Sequence, residues 1–451
     1  MNLEKFFFKK ISLWILILTI IFGIICIIWF GSLVLKSRTA LKIAQIPQNF
    51  KTIITGENEA GLLAPEKRFG EEKGFVTFSI PPDFEYKYLL LARYDGDLKR
   101  SVVELIDIKS KKIIHEWKPD INKIISKSKI PKNIVNLKRD NNLKRYLMLH
   151  PVLLNNGDLI IHGFDTPLTK IDICSKEIWS LDYSFHHSTE KDDHSYWIPF
   201  MFYPSSVNHG MDEELGNERK IFRDDGIMQV SNDGNILFKK SIIQIFIDNN
   251  LGHLVHGGRE ATYDPIHLND IQPVLSDGKY FKKGDVFLSL RNLSMIVLYR
   301  PDENKIIWYK QFPWIQQHDV DILNDHQISI YNNRSPIFAF DKSNKKYSNN
   351  LLVYDFKNKQ VINKYESLFR KYDIRDVFEG LAEIGNDGSV FIEESVSGRA
   401  MQFDKNQNLI WKYTNNEGKN NNLYRLNWSR IIKNIDGEFY KKLKDLNCDQ
   451  N

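Results

Sequence analysis

Four positions of a repeated sequence pattern carry histidine near the start of a predicted strand. They are His150, the pair His186 and His187, His267 and His318. Arg291 follows another predicted strand of the same pattern. A neutral imidazole can attack an electrophile or accept a proton, and a guanidinium offers a planar fork of donors that fits sulfate or phosphate oxygens. An arginine among histidines is a poor metal site, so this combination predicts chemistry on an oxyanion.

The stretch 311–333 is the one around which we expect the rest of the chain to be organised. It presents His318 and Asp319 after an aromatic entry, and two alternating apolar runs then flank a short polar turn at 324–326. This pattern predicts a β-hairpin. We predict that His318 is the reactive group and that the repeats are its scaffold. In a regular strand the side chain of Asp319 points away from that of His318.

The remaining histidines receive other interpretations. Those in strand or turn patterns, which we expect to have structural roles, are His115, His162 and His326. Those in Gly-rich or polar segments, which could line the mouth of the same site, are His209, His253 and His256. His150 is followed by proline, so capping a strand is the alternative to a role in the site.

A hairpin pattern recurs six times and predicts the fold. The copies lie at 101–117, 169–182, 227–240, 296–310, 351–365 and 400–413, with starts roughly 50 to 70 residues apart, and a second hairpin precedes each. Two hairpins make the four strands of one propeller blade. We therefore predict an all-β, six-bladed propeller over 75–435, closed by strands from 74–80 and 422–432. The histidines would meet at one mouth of its channel. Neither βαβ alternation nor a glycine-rich phosphate loop is present, which argues against a nucleotide-binding α/β fold.

The N-terminal region predicts a membrane anchor. Residues 11–35 are about 25 uncharged, mostly apolar residues, enough for one membrane-spanning helix. The run is too long for the core of a cleaved signal peptide. We predict an uncleaved anchor at 1–38, a stalk or lead-in at 39–74 and a C-terminal tail at 436–451. Lysines and arginines flank both ends of the run almost equally, and we expect the catalytic domain on the extracytoplasmic, periplasmic side.

The amino-acid composition of the chain is that of an ordinary globular protein. Of 451 residues, 42% are hydrophobic and 26% charged, with a net charge of +5. Both signs of charge are interspersed, and no basic cluster with interleaved aromatics predicts nucleic-acid binding. The cysteines, Cys26, Cys174 and Cys448, have no spacing that predicts a disulfide framework or a metal site.

The chain resembles the bacterial arylsulfotransferases that do not use a nucleotide sulfate donor, a family of six-bladed propellers. The resemblance is most specific in FHHSTEKD at 185–192, HLNDIQPV at 267–274, SLRNLS at 289–294 and QHDVDIL at 317–323. It implies transfer of a sulfuryl group from a phenolic ester to another phenol or hydroxyl, through a sulfated histidine and without cofactor or metal. Some periplasmic members of the family contain a disulfide, to which Cys174 and Cys448 do not evidently correspond.

The resemblance also implies a role for each matching residue. His318 would be the nucleophile, and His267 and Arg291 would hold the sulfuryl oxygens. His187, preferred over His186, would complete the catalytic set. The candidates for substrate binding are His186, Asn269 and Asn292.

The residue types support this chemistry independently. Sulfuryl transfer should resemble phosphoryl transfer in having a loose transition state with charge on the peripheral oxygens, which an arginine and imidazole N–H groups can stabilise. A second histidine could protonate the departing phenolate and later deprotonate the acceptor. Two alternatives stay open: a metal-dependent propeller oxygenase using four histidines, and a non-catalytic propeller that binds a ligand or a protein.

Overall fold

The computed structural model describes residues 13–36, 61–64, 68–69, 72–130, 142–210, 221–256, 262–334, 348–417, 422–446 and 448. The chain forms two compact units, Met1–Ala60 and Gly61–Asn451. The described part of the first unit is helix α1 (Leu13–Lys36). Its window Trp14–Gly31 has a mean hydropathy of 2.7 and is long and apolar enough to cross a membrane, a test that a signal sequence also passes. The predicted stalk lies outside the described residues except for 61–64, 68–69 and 72–74.

The second unit is built mainly of strands. These are β1 (Gly74–Thr77), β2 (Tyr88–Asp95), β3 (Arg100–Asp107), β4 (Lys112–Trp117), β5 (Leu149–Leu153), β6 (Leu159–His162), β7 (Thr166–Ile171), β8 (Glu177–Phe185), β9 (Glu190–Lys191), β10 (Ser195–Phe202), β11 (Asp224–Ser231), β12 (Ile236–Ser241), β13 (Leu268–Pro273), β14 (Val286–Leu290), β15 (Met295–Arg300), β16 (Lys305–Gln311), β17 (Val320–Asn324), β18 (Gln327–Asn332), β19 (Asn350–Asp355), β20 (Gln360–Ile362), β21 (Leu381–Ile384), β22 (Val390–Glu394), β23 (Arg399–Phe403), β24 (Leu409–Thr414), β25 (Asn416–Glu417), β26 (Asn422–Leu423) and β27 (Arg430–Ile432).

Short helices connect some of the strands. They are α2 (Ile121–Ser126), α3 (Ile242–Asp248), α4 (His253–His256), α5 (Glu366–Lys371), α6 (Gly437–Asp445) and a 3-10 turn (Arg291–Leu293). Helical patterns at 121–129 and 440–446 of the sequence coincide with α2 and with the second half of α6. The side chain of Asp120 caps the N-terminus of α2 by accepting a hydrogen bond from Lys123 N.

The described strands form antiparallel sheets arranged as in a propeller. Three sheets have four strands, in the orders β13-β14-β15-β16, β17-β18-β19-β20 and β27-β2-β3-β4. A fourth has five strands, β1-β24-β23-β22-β21, and a fifth has eight, β12-β11-β10-β8-β7-β6-β5 with β9 on β10. The pair β25-β26 stands apart. Apolar side chains from neighbouring sheets pack together, as in the cluster that combines Leu90 and Val103 with Leu159 and Ile161.

Six separate blades were expected, and the described strands do not form them. β8 and β10 pair through Phe185 with Phe200 and Ser184 with Met201, and these pairs join two predicted units into the eight-stranded sheet. β1 adds a fifth strand to another sheet by pairing with β24. The prediction of six separate four-stranded sheets is therefore wrong, whereas the all-β, propeller-like architecture is confirmed.

Segments from both ends of the second unit enter the sheets, as the sequence predicts. Gly74 at the start of β1 pairs with Thr414, and Arg430 of β27 pairs with Leu90. β27 is thereby an edge strand next to β2, although more than 330 residues separate them in sequence.

A disulfide between Cys174 and Cys448 corrects the expectation drawn from cysteine spacing. Cys174 lies in the turn between β7 and β8, its partner follows α6, and the two are 274 residues apart in sequence. So large a separation leaves no local pattern from which the pair could be predicted. Helix α6 also packs into the core through Phe439 and Leu443, so the C-terminal segment is joined to the propeller covalently and by apolar contacts.

Six strands, each paired with a single neighbour, begin with the same irregular backbone. We call these strands, β5, β9, β13, β17, β21 and β27, the inner strands. Positive φ angles occur at or just before their starts, at His150 (40°), His187 (60°), His267 (54°), Gln316 (51°), Glu379 (62°) and Trp428 (63°). Non-glycine residues rarely adopt such angles. The shared irregularity shows that the starts of the inner strands are equivalent positions of the repeat.

Candidate active site

Histidine rings from the starts of different inner strands lie next to one another. Between ring centroids, His187 is 5.2 Å from His267 and 6.3 Å from His318. Trp428, which precedes β27, lies edge-on to His318 at 6.4 Å. The equivalent positions of the repeat therefore bring these three predicted histidines into one cluster.

The hydrogen bonds of Asn333 assign the tautomer of His318. The side-chain N–H groups of Asn333 donate to the carbonyl oxygens of Glu379 (2.7 Å) and Asp376 (3.4 Å), so its oxygen is the atom that faces the histidine. That oxygen lies 2.7 Å from His318 Nδ1 and accepts its proton. Nδ1 therefore carries the hydrogen, and Nε2 carries the lone pair. Burial, together with the charge of Arg291, lowers the pKa of His318 well below its ordinary value and keeps the ring neutral.

The lone pair of His318 is occupied by a backbone donor. The amide N–H of Glu379 donates to His318 Nε2 at 3.0 Å. Both Glu379 and the following Gly380 have positive φ, at 62° and 86°. The carboxylate of Glu379 is in turn paired with Arg425. The segment just before β21 therefore covers the nitrogen from which His318 would react.

His267 has a different environment from His318. Its Nδ1 lies 2.5 Å from Asp264 Oδ2, so Nδ1–H donates to a carboxylate. The side chain is half-buried, with 27% exposed, whereas His318 is 1% exposed. Nε2 of His267 is then the nitrogen available to a bound molecule.

Arg291 lies at the start of the 3-10 turn beside these rings. Its terminal nitrogens donate to Asn292 Oδ1 (3.0 Å) and Gln316 Oε1 (3.3 Å). Its buried Nε has no hydrogen-bond partner among the described residues. Burial lowers the pKa of the guanidinium, an effect that Asp264 and Glu379 oppose. An unsatisfied donor beside neutral imidazoles suits a bound oxyanion.

The neighbours His186 and His187 have separate surroundings. Their Nδ1 atoms are 2.8 Å apart, so one donates to the other. His187 is half-buried and contacts the rings of His267 and His318, while His186 is buried with Nε2 3.4 Å from Asp225. Burial, with positive charge at the neighbouring histidines, lowers the pKa of His187 well below its ordinary value. The geometry favours His187 as the member that faces a substrate.

The two predicted asparagines contact protein groups. Asn269 is fully buried and its amide donates to the carbonyl of Gln317 at 3.0 Å, next to His318. Asn292 donates to the carbonyl of Asp264 at 2.7 Å and accepts from Arg291. Both therefore hold the segments that carry the site residues.

His150 contacts Trp428, which also contacts His318. Its ring is 5.2 Å from that of Trp428, and its Nδ1 accepts from Thr189 N at 3.3 Å. Burial lowers its pKa well below the ordinary value, and the charge of Arg430 adds to this effect.

The other histidines mostly have structural contacts. His115 and His162 hydrogen-bond to the carbonyls of Ile173 and Gly163, as expected for structural residues. His209, which could line the mouth by its place in the sequence, stacks on Phe222 with the ring centroids 4.2 Å apart. His253 and His256 lie at the two ends of α4.

Sequence analysis missed four residues that shape the cluster: Asp264, Asn333, Glu379 and Arg425. Asp264 stands three residues before His267, a spacing that could have suggested the pair. Asn333 follows His318 by 15 positions at the end of the same hairpin, whereas Glu379 and Arg425 lie on more remote segments. No local pattern marks any of the three. The side chain of Asp319, which was expected to point away from that of His318, accepts a hydrogen bond from Ala382 N at 3.0 Å through Oδ2.

Further along the inner strands, the channel holds a cavity of about 320 Å³ with many carboxyl groups. Its acidic lining residues are Glu190, Asp319, Asp321 and Glu383. Burial raises the pKa of Glu383 to about 7 and that of Asp321 well above its ordinary value, where Asp319 and Glu383 add to the effect. Arg430 and Lys433 also line this acidic cavity.

A family model described as arylsulfotransferase (ASST) matches residues 150–416, more than half of the chain. The chain belongs to the arylsulfotransferase family. The matched range contains all the predicted site residues, and membership of the family points to a sulfotransferase-like function with small-molecule donor and acceptor.

No curated protein matches the chain. Among solved structures, a protein of unknown function from Bacteroides caccae is similar with a TM-score of 0.42 and 10% identity, over 72% of this chain and 93% of the other. The WD40 domain of Neurospora crassa Pan2 gives a TM-score of 0.37 and 10% identity, over 73% and 80%. A virginiamycin B lyase from Staphylococcus aureus gives 0.32 and 8%, over 58% and 69%. At these values the likenesses bear on neither activity nor site.

Proposed function

We propose that the protein transfers a sulfuryl group from a phenolic sulfate ester to a phenol or another hydroxyl compound, through a sulfated His318. The observation that carries the proposal is the cluster of His318, His267, His187 and Arg291 inside the range that matches the arylsulfotransferase family. Several imidazoles beside one guanidinium combine a nucleophile, a proton carrier and an oxyanion site.

In the first half of the reaction, His318 Nε2 attacks the sulfur of the donor ester. The N–S bond forms as the S–O bond to the aryl group breaks, and the departing phenolate takes a proton from a neighbouring imidazolium. The sulfated ring bears a positive charge, and the hydrogen bond from Nδ1 to Asn333 Oδ1 stabilises it.

In the second half, the acceptor hydroxyl gives its proton to the same neighbouring imidazole, now neutral. The acceptor oxygen attacks sulfur, the N–S bond breaks, and His318 returns to its starting tautomer. Charge on the peripheral sulfuryl oxygens is stabilised by Arg291, whose Nε is unsatisfied, and by donor N–H groups of the surrounding imidazoles.

The attack requires the Glu379 amide to leave His318 Nε2, because one lone pair cannot accept a hydrogen bond and bind sulfur together. The ion pair between Glu379 and Arg425 holds the covering segment in place. Substrate binding would therefore be accompanied by a shift of the residues before β21.

We place the propeller outside the cytoplasm, attached to the membrane by α1. The disulfide between Cys174 and Cys448 supports this, because disulfides persist in oxidising compartments and are rare in the cytosol. The apolar window Trp14–Gly31 supports attachment.

A non-catalytic binding propeller is the second candidate. The observation in its favour is that Nε2 of His318 is already hydrogen-bonded to Glu379 N in this conformation. For the oxygenase alternative, no group of three or more His, Cys, Asp or Glu among the described residues is arranged to hold a metal ion. Metal analysis of the purified protein separates that alternative from the transferase.

The deciding experiment is incubation with 4-nitrophenyl sulfate and phenol, followed by mass spectrometry of the acid-labile sulfuryl group on proteolytic peptides. We expect phenol-dependent release of nitrophenolate and a labelled peptide that contains His318. Release without labelling, or label on a peptide carrying His267 instead, would contradict the assignment of the nucleophile. Absence of both, with ligand binding retained, would favour the binding propeller.

A further inference from the structure

Asp264 and His267 form a supported carboxylate–imidazole pair. The Oδ2–Nδ1 distance is 2.5 Å, and two contacts fix the backbone around the pair. Asn292 donates to the carbonyl of Asp264 at 2.7 Å, and the amide of Arg291 donates to the carbonyl of His267 at 3.0 Å. Both ends of the segment are thus held by the 3-10 turn that carries Arg291 (Arg291–Leu293).

The carboxylate of Asp264 is ionised and faces the imidazole of His267. Burial acts to raise the pKa of Asp264, but the facing His267 and the charge of Arg223 lower it below its ordinary value. Its Oδ1 is buried without a hydrogen-bond partner among the described residues. Asp264 is therefore an anion that accepts the Nδ1–H of His267 and fixes the orientation of that ring.

The other side chains of the cluster beside His267 are imidazoles and a guanidinium. His187, His318 and Arg291 are all neutral or positive, and the first lies 5.2 Å away between ring centroids. In the part of the chain that the structure describes, the Nδ1 atoms of the other two clustered rings face no carboxylate: His318 Nδ1 faces the Asn333 amide, and His187 Nδ1 faces His186. His267 is thus the ring of the cluster whose Nδ1–H is held by a carboxylate, which leaves Nε2 as its second nitrogen for a bound molecule.

We infer that Asp264 is the positioning residue that makes His267 the proton carrier of the transfer reaction. The inference rests on the proposed function and assigns the neighbouring imidazolium of that reaction. With Nδ1–H directed to Asp264, Nε2 of His267 gives its proton to the departing phenolate as the S–O bond breaks. The same Nε2 then takes the proton of the acceptor hydroxyl as the new S–O bond forms. One proton is given and one is regained, so no further reactant is needed.

The test is a comparison of two donors in Asp264→Asn. 4-Nitrophenolate leaves without help, whereas unsubstituted phenolate needs protonation, so loss of the proton carrier should affect the two unequally. In single-turnover labelling of His318, we expect the rate with phenyl sulfate to fall by about 100-fold and the rate with 4-nitrophenyl sulfate by less than about 10-fold. Asp264→Glu, which keeps the carboxylate, should recover part of the loss. The alkaline limb of the pH profile with phenyl sulfate should move to lower pH in Asp264→Asn.

Asp325→Asn is the matched control, because His326 Nδ1 lies 2.6 Å from Asp325 Oδ1 in an exposed turn. It should leave both rates unchanged. The ratio of the two rates within one variant does not depend on the folded fraction, so partial unfolding cannot imitate the result. Equal loss with both donors, or no loss, would overturn the assignment of Asp264. Absence of labelling in the unmodified protein would instead refute the proposed function, so the two failures are distinguishable.

Discussion

The two ends of the inner strands carry side chains of opposite character. At their starts lie the rings of His187, His267 and His318 with Arg291 beside them. A few residues further along, the same strands line a cavity with carboxyl groups, among them Asp321 and Glu383. The scaffold is shared, so the contrast comes from the side chains alone.

Burial acts on both ends and suppresses charge at each. It lowers the pKa of His318 and raises the pKa of Asp321, because both shifts disfavour the charged form. For an imidazole, loss of charge uncovers a lone pair that can attack sulfur. For a carboxyl group it only produces a neutral acid. Under the proposed mechanism, the same burial therefore leaves a neutral nucleophile at one end of the strands and neutral acids at the other.

Replacement of the ring that supplies this lone pair should have the largest effect. In His318→Ala we expect transfer from 4-nitrophenyl sulfate to phenol to fall at least about 10³-fold, since His318 is the proposed nucleophile and Asn333 holds its Nδ1–H. Steady-state release of nitrophenolate measures this. His326→Ala, in the exposed turn of the same hairpin, is the control and should retain full activity. Comparable activity of His318→Ala and His326→Ala would mean that His318 is not the nucleophile and that the histidine end of the strands has no special reactivity.

Arg291→Lys should have the next largest effect. Lysine keeps the positive charge but loses the planar fork of donors, so stabilisation of the sulfuryl oxygens in the transition state should weaken. We expect kcat to fall about 10²- to 10³-fold with a smaller change in KM. Arg334→Lys, at a more exposed arginine paired with Glu366, should change neither. A change in KM alone would show that Arg291 binds the substrate without acting in the transition state.

The histidine end of this contrast could be predicted from sequence because the repeat is local, whereas the acidic cavity was not predicted. Alternating apolar residues and polar turns indicate the strands, and the equivalent positions of His187, His267 and His318 follow from aligning those hairpins. The arginine was found in the same way, from its place after a strand. Convergence then follows from the symmetry of a propeller, without knowledge of any contact.

The rest could not be predicted because it depends on contacts between remote segments. The amide of Glu379 reaches His318 across 61 positions, and the carboxylate of that residue meets Arg425 from yet another segment. The pairing of Cys174 with Cys448 spans 274 positions. The number of separate sheets was also wrong, since two hydrogen-bonded residue pairs between β8 and β10 are invisible to a count of repeats.

Release of the covering segment should have a moderate effect on the histidine end. Glu379→Gln keeps the backbone amide but removes the ion pair with Arg425, so the segment should withdraw from His318 Nε2 more readily. We expect single-turnover labelling of His318 to accelerate about fivefold, which corresponds to about 1 kcal/mol. Rapid quench followed by mass spectrometry measures the rate. Glu303→Gln, at an exposed ion pair with Arg300, serves as control. Slower labelling would show that the Glu379 amide assists the reaction.

The smallest effect is expected at the acidic cavity, and on stability alone. The pKa of Glu383 is raised to about 7, mainly by burial. A carboxyl group whose pKa is raised on folding stabilises the protein below its unfolded pKa, near 4.3, and this contribution is lost as pH rises through about 7. Glu383→Gln removes a group that must otherwise ionise in a buried site. The variant should therefore unfold at a higher temperature than the unmodified protein at pH 8, by a few degrees.

The change with pH in the melting-temperature difference between Glu383→Gln and the unmodified protein tests whether the carboxyl charge of Glu383 is its cause. At pH 5 Glu383 is protonated in the folded protein, but the unfolded carboxyl group, with its pKa near 4.3, is already largely ionised. The gain in melting temperature from Glu383→Gln, measured by circular dichroism, should therefore be smaller at pH 5 than at pH 8 and should vanish below about pH 4. Transfer activity should be unchanged at both values of pH, because the cavity lies beyond the histidine cluster. An equal gain at pH 5 and pH 8 would mean that packing is responsible and that the carboxyl charge is not. A loss of activity would mean that the acidic cavity contributes to the reaction, and the division between a reactive and an unreactive end would then be wrong.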